Sequence, residues 1–189
     1  EMGLQEEFEA VAKNYAQSMQ KAERILTNSP TCAWLMKKVY PSLGLELPKV
    51  QPVSVEYDDH REQLKELAQA GAKSDDPQVL YHDACFLGRR LGHYEEPRRV
   101  LAAIMGIWPK EMEERRERSL CSGAGAGYRW THPESSLAIA ENCLDKAPSD
   151  RKETVLVSAC PSSRRQFRLA DEQQKCASIS ELVAQKIFV

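Results

Sequence analysis

Six cysteines carry most of the chemistry this sequence can offer: Cys32, Cys85, Cys121, Cys143, Cys160 and Cys176. A thiolate is a soft metal ligand or a nucleophile, whereas the neutral thiol is a small buried hydrophobe. Cys121 poses the choice most sharply. It lies in "SLCSGAGAGYRW" (Ser119 to Trp130), directly ahead of Ser122 and of Gly123, Gly125 and Gly127. Glycine is used where a backbone takes positive φ or makes a close approach, so this loop can bring amide N–H groups up to a sulfur-bound centre. Two other stretches, "SPTC" (Ser29 to Cys32) and "CPSS" (Cys160 to Ser163), each hold half of a Cys-Pro-x-Cys pair. A Cys-x-x-Cys turn lets two thiolates reach one centre, the ligation suited to zinc and to iron–sulfur clusters.

Positioning these residues needs a scaffold, and the hydrophobic pattern supplies one. Phe8, Val11, Ala12, Tyr15 and Met19 recur at helical spacing over 4–23. Strands are predicted at "RILTN", "VSVEY", "QVLYHD", "RSLCSG", "ETVLVSAC" and "KCASIS". Helices are predicted after Pro30, over "DDHREQLKELAQAG" up to Gly71, and over "EEPRRVLAAIMG", "HPESSLAIAENCLDKA", "PSSRRQFRLAD" and "SELVAQKIF". This alternation predicts an α/β fold of mainly parallel sheets flanked by helices. Sites in such sheets lie beyond the carboxyl ends of the strands. Cys32, Cys85, Cys121 and Cys160 each follow a predicted strand, whereas Cys143 (mid-helix) and Cys176 (within a strand) read as core residues. The order strand, small-Pro-small turn, helix, strand, helix occurs twice, from Ile25 and from Val155. That predicts two pseudo-repeated lobes joined by the linker "AKSDDP".

Composition narrows the classes. The 189 residues suit one domain or two compact lobes, and a hydrophobic share of 42% is enough for a core. A net charge of -2 gives no reason to expect nucleic acid or an anionic membrane as partner. No apolar run approaches the roughly 20 residues of a membrane span, and no signal peptide is visible. The first residue is Glu1, as expected of a piece of a longer chain. Six cysteines in a chain of this size and without a secretory signal point to metal or redox chemistry in a reduced, cytoplasmic setting.

Taken together, "YHDACFLGRRLGHYEEPRRVL", "LCSGAGAGYRW" and "VSACPSS" resemble the CCG, or cysteine-rich, domain of heterodisulfide reductase and related iron–sulfur oxidoreductase subunits. The family pattern is a lone cysteine, then Cys-Cys-Gly, then Cys-x-x-Cys. The resemblance places a complete repeat at 78–189 and the back half of a preceding repeat at 1–73. It implies Cys85, Cys121 and Cys160 as metal ligands, with Ser122, Ser163, His82, Gly123, Gly125 and Cys32 near the cluster. Ser29, Ser122 and Ser163 stand where the pattern has cysteine. Three thiolates can still hold a cuboidal cluster, with hydroxyls as harder and rarer ligands.

The function implied is an iron–sulfur electron-transfer domain or subunit, with no catalytic acid–base residue of its own. Its partners would be other oxidoreductase subunits, flavin- or quinone-linked, and any membrane association would come through them. The alternative is a degenerate scaffold, zinc-bound or metal-free, acting as an assembly domain. A third reading makes Cys121 a catalytic thiol with His82 as its base. His60, His93 and His132 show no metal spacing, and Arg89, Arg90, Arg98 and Arg99 are expected on helix surfaces.

Overall fold

A computed structural model describes residues 4–70 and 77–188. Helix α1 (Gln5–Met19) leads into β1 (Arg24–Thr27), α2 (Pro30–Trp34) and a π-helical turn over Leu35–Val39. Then come β2 (Lys49–Pro52), α3 (Val53–Asp59) and α4 (Arg61–Ala70). The second half holds β3 (Val79–His82), a π-helical turn over Phe86–Arg90, α5 (Glu95–Met105) and β4 (Lys110–Glu111). It continues with α6 (Tyr128–Thr131), α7 (Pro133–Asp145), β5 (Val155–Ser158), α8 (Pro161–Ala170), β6 (Cys176–Ser178) and α9 (Ile179–Ile187).

All strand pairings among the described residues are parallel. Strands β1 and β2 form a two-stranded sheet, and β4-β3-β5-β6 form a four-stranded one. The α/β expectation holds. Alternate residues of β3 and β5 face opposite ways, as the period of two requires. Val79, Tyr81 and Val157 pack with α5 and α9, while Leu80 and Leu156 pack with α7 and with Phe167 of α8. Leu64 and Ala68 of α4 join the first of these cores, so the chain's first half helps to cover the larger sheet. A separate core gathers α1, β1, α2 and β2 around Ile25, Ala33, Met36 and Val50.

Three expectations are corrected. "VSVEY" begins α3, and the strand is Lys49–Pro52 just before it. The alternation of Val53, Val55 and Tyr57 suggested a strand, but the polar residues between them are the buried ones. Glu56 takes an ion pair from Arg24, and Asp58 accepts from Arg99 Nε at 2.9 Å. "RSLCSG" forms no strand, only a 3-10 turn at Arg116–Arg118 followed by extended loop, and the sheet's edge strand is Lys110–Glu111. Arg98 is not on the surface. It is 1% exposed, forked onto Asp83 at 2.8 and 2.7 Å and onto Glu111 at 2.7 Å. Gly71 and most of the predicted linker lie outside the described residues.

Candidate metal centre

The parallel pairing of β3 with β5 sets His82 beside Ser158, so both strands end at the same edge. Cys85 follows β3 by three residues and Cys160 follows β5 by two. Cys160 lies near enough to Cys85 for its charge to raise that thiol's pKa. Cys121 arrives from the loop and shares a hydrogen bond with Cys85. Three cysteines far apart in sequence therefore converge at one sheet edge. Cys85 and Cys160 reach it from strand ends; Cys121 does not.

Side chains shape the Cys121 loop where the sequence suggested a strand. His82 Nε2 lies 2.9 Å from the Leu120 carbonyl and so carries the ring proton. Its Nδ1, 3.2 Å from Ser158 Oγ, then accepts from that hydroxyl. Ser158 Oγ in turn accepts the Cys160 N–H at 3.4 Å. One buried imidazole thus ties together the approaches to all three cysteines. Burial holds His82 below its ordinary pKa, against the opposing pull of the Leu120 carbonyl, so the ring favours the neutral form this network needs. With both ring nitrogens engaged, His82 is not a base for Cys121. Arg89 Nη1 donates to the Ser119 carbonyl at 2.6 Å, and the Asp83 carboxylate accepts the Arg116 N–H at 2.8 Å. These bonds replace strand pairing along 116–120.

The thiols differ. The hydrogen bond from Cys85, aided by the Gly123 N–H and Arg89, lowers the Cys121 pKa to about 6. Cys85 is pushed up, first by that same bond and then by burial. The contact thus favours negative charge on Cys121 over Cys85. The Gly123 amide donates to Cys121 Sγ at 3.3 Å. Gly123 has φ 76°, and a Cβ there would meet the Ser136 carbonyl oxygen at 2.4 Å, so glycine is required. Gly125 is unconstrained: a Cβ there meets open space.

Ser122 and Ser163 are buried and bonded to each other, Oγ to Oγ at 2.9 Å, which fastens the glycine loop to the first turn of α8. Cys32 packs against the first-half core, on the helix α2 that lies against the π-helical turn after Cys85. Burial pushes Cys143 up to about 12 and Cys176 up to about 11, as befits core thiols. Sequence reasoning missed Ser158 and Arg89 as organisers of the site; the signal for Ser158 was its place two residues before Cys160, at a strand's end.

The donor set suits a sulfur-bound cluster better than a single ion. Among the described residues no three His, Cys, Asp or Glu side chains gather around one metal ion. A cluster is wider, and it accepts soft thiolates arriving from separate loops. Three thiols at one edge, with an N–H donor to sulfur and a nearby guanidinium, are the kind of donor set that such a cluster would take.

Residues 79–168 match the model of the CCG cysteine-rich domain. The probable iron–sulfur-binding oxidoreductase FadF of Bacillus subtilis is 31% identical over 96% of this chain and 26% of its own length. One component of the dihydromethanophenazine:CoB–CoM heterodisulfide reductase of Methanosarcina barkeri is 31% identical over 94% of this chain and 44% of its own. A probable membrane-anchored ferredoxin of Chromohalobacter salexigens is 27% identical over 97% and 28%. The chain thus spans less than half of each of these relatives. Among the described residues no helix is long and apolar enough to cross a membrane.

Proposed function

We propose that this chain, whose residues 79–168 match the CCG cysteine-rich domain, is an iron–sulfur electron-transfer domain or subunit of an oxidoreductase. Cys85, Cys121 and Cys160 would hold the cluster. The single observation that carries this reading is the meeting of those three cysteines beyond β3 and β5. When bound, the cluster would supply one-electron redox chemistry. The chain's own residues position sulfur and set its charge. His82 fixes the three approaches, Arg89 offsets negative charge, and the Gly123 N–H bond to sulfur favours the reduced state.

The matching order β1–α2–β2–α3 and β5–α8–β6–α9 supports reading 1–73 as the back half of one repeat and 78–189 as a complete second one. Subunits of the heterodisulfide reductase kind, flavin- or quinone-linked, are the proposed partners, and the proposed setting is the cytoplasm or its membrane face. A second reading, a scaffold without a cluster, draws on the Ser122–Ser163 bond, because those hydroxyls satisfy each other instead of facing a metal.

Iron and acid-labile sulfide analysis after anaerobic reconstitution, with a visible spectrum, tests the proposal. Bound iron with sulfur-to-iron absorption near about 400 nm is expected. Ser122→Cys combined with Ser163→Cys should raise iron occupancy, and the loaded protein should melt higher than the metal-free form. Colourless protein from both forms favours the scaffold.

A further inference from the structure

A cleft of about 280 Å³ lies between α6, α7 and α8, lined by Arg129, Trp130, Pro133, Leu137, Arg165, Gln166 and Leu169. Its rim is apolar and open: Trp130 is 66% exposed and Leu169 58%. Arg129 stacks on the Trp130 ring at 4.5 Å. Neither Arg129 nor Arg165 pairs with a carboxylate among the described residues.

Gln166 is 3% exposed, and its amide is unevenly satisfied. Ser136 Oγ donates to the Gly123 carbonyl at 2.9 Å, so its lone pair takes the Gln166 Nε2 donor at 3.0 Å. The other end of the amide, Oε1, is a buried acceptor with no partner among the described residues. Such a group is costly to leave unmatched. The same bonds lead inward: Gln166 to Ser136, Ser136 to the Gly123 carbonyl, and the Gly123 N–H to Cys121 Sγ.

We propose that this cleft is a docking site for an acidic segment of a partner protein, and that its occupation is felt at Cys121. Two uncompensated arginines select carboxylates. Exposed Trp130 and Leu169 take an apolar side chain, Trp and Arg being the residues that most often dominate interface energetics. Gln166 lines the cleft, and a turn of its side chain on docking brings the buried Oε1 to a backbone N–H of the docked segment, the donor it lacks. A donor at Oε1 polarises the amide and the hydrogen-bond chain behind it, firming the loop that presents Cys121. No cluster is needed for this coupling, so the metal-free chain is the one to test.

The probe is a short dye-labelled peptide with two central leucines flanked by glutamates. One control replaces every glutamate by lysine, and another replaces both leucines by serine. Fluorescence anisotropy should show the acidic leucine peptide binding at least about tenfold more tightly than either control, and more weakly as salt rises. Arg129→Glu with Arg165→Glu, and separately Trp130→Ala, should each weaken it about tenfold or more. Trp130→Leu, which keeps apolar bulk, should retain part of the binding and guards against a folding artefact. Bound peptide should slow iodoacetamide alkylation of Cys121 in the intact chain and have no such effect in Gln166→Met. Equal binding of all three peptides, or binding that survives loss of Trp130 and both arginines, overturns the docking site. Unchanged Cys121 alkylation in the bound protein overturns the coupling.

Discussion

The β1–α2 turn and the β5–α8 turn are built alike yet serve different ends. In each, a hydroxyl at the strand's last position accepts the N–H two residues on: Thr27 from Ser29 at 3.1 Å, Ser158 from Cys160 at 3.4 Å. Each helix then starts on proline, Pro30 or Pro161. The sulfur and oxygen positions are exchanged. Ser29 caps α2 by accepting the Cys32 N–H at 3.3 Å, and Cys32 packs against an apolar core. Cys160 holds the capping position of α8 without a side-chain bond, and Ser163 turns to Ser122. One turn is occupied with folding, while the other leaves its sulfur available beside Cys85. On the proposed ligand set, which of two positions holds the cysteine decides whether the same turn is structural or chemical.

The largest effect that can break this contrast is on metal binding. Cys85→Ala, Cys121→Ala or Cys160→Ala should each all but abolish iron uptake. Loss of a ligand costs at least as much as the about 10–100-fold that follows loss of a ligand's supporting group. Cys32→Ala should leave iron per chain unchanged. Equal losses from Cys32→Ala and Cys160→Ala, measured by iron analysis on folded protein, would erase the distinction between the turns.

The second test concerns His82, which braces the β5–α8 turn through Ser158. His82→Ala leaves the Leu120 carbonyl and the Ser158 hydroxyl short of partners, at about 1–3 kcal/mol each. Its folded pKa lies below the ordinary value of 6.5, chiefly through burial. As pH falls through about 6.5, the unfolded chain takes up a proton that the folded one refuses, so stability declines and then levels off below the folded pKa. Urea melts between pH 8 and 5 should show this decline in the parent and a smaller one in His82→Gln. Parallel curves would remove His82 from the brace.

Much of this was legible from residues alone. The apolar runs at Val79 and Val155 are strands because both faces of a parallel strand are buried, and their ends locate Cys85 and Cys160. The loop of Cys121 was not legible. Its carbonyls are taken by Arg89 and His82, partners 30 and 38 residues away in sequence, which no local pattern reveals. The helix α3 escaped for a similar reason, since its buried face is made of carboxylates paired with distant arginines. The cleft at Trp130 was also hidden, because its lining comes from two separate segments of the chain, and only the folded chain shows Gln166 Oε1 unmatched.

The smallest effect sharpens the comparison most, because it exchanges the two turns' roles at one position each. Ser29→Ala removes an N-cap bond and should cost about 1 kcal/mol in a urea melt while leaving iron uptake intact. Cys160→Ser should do the reverse. A serine at the same capping position can accept the Ser163 N–H as Ser29 accepts that of Cys32, so the metal-free protein should gain up to about 1 kcal/mol while iron uptake falls. If Cys160→Ser instead destabilises the metal-free chain, the thiol makes packing contacts that serine cannot match, and the two turns differ in more than the place of their sulfur. If it raises stability and abolishes iron binding together, the bare cap of α8 is a local concession to the site.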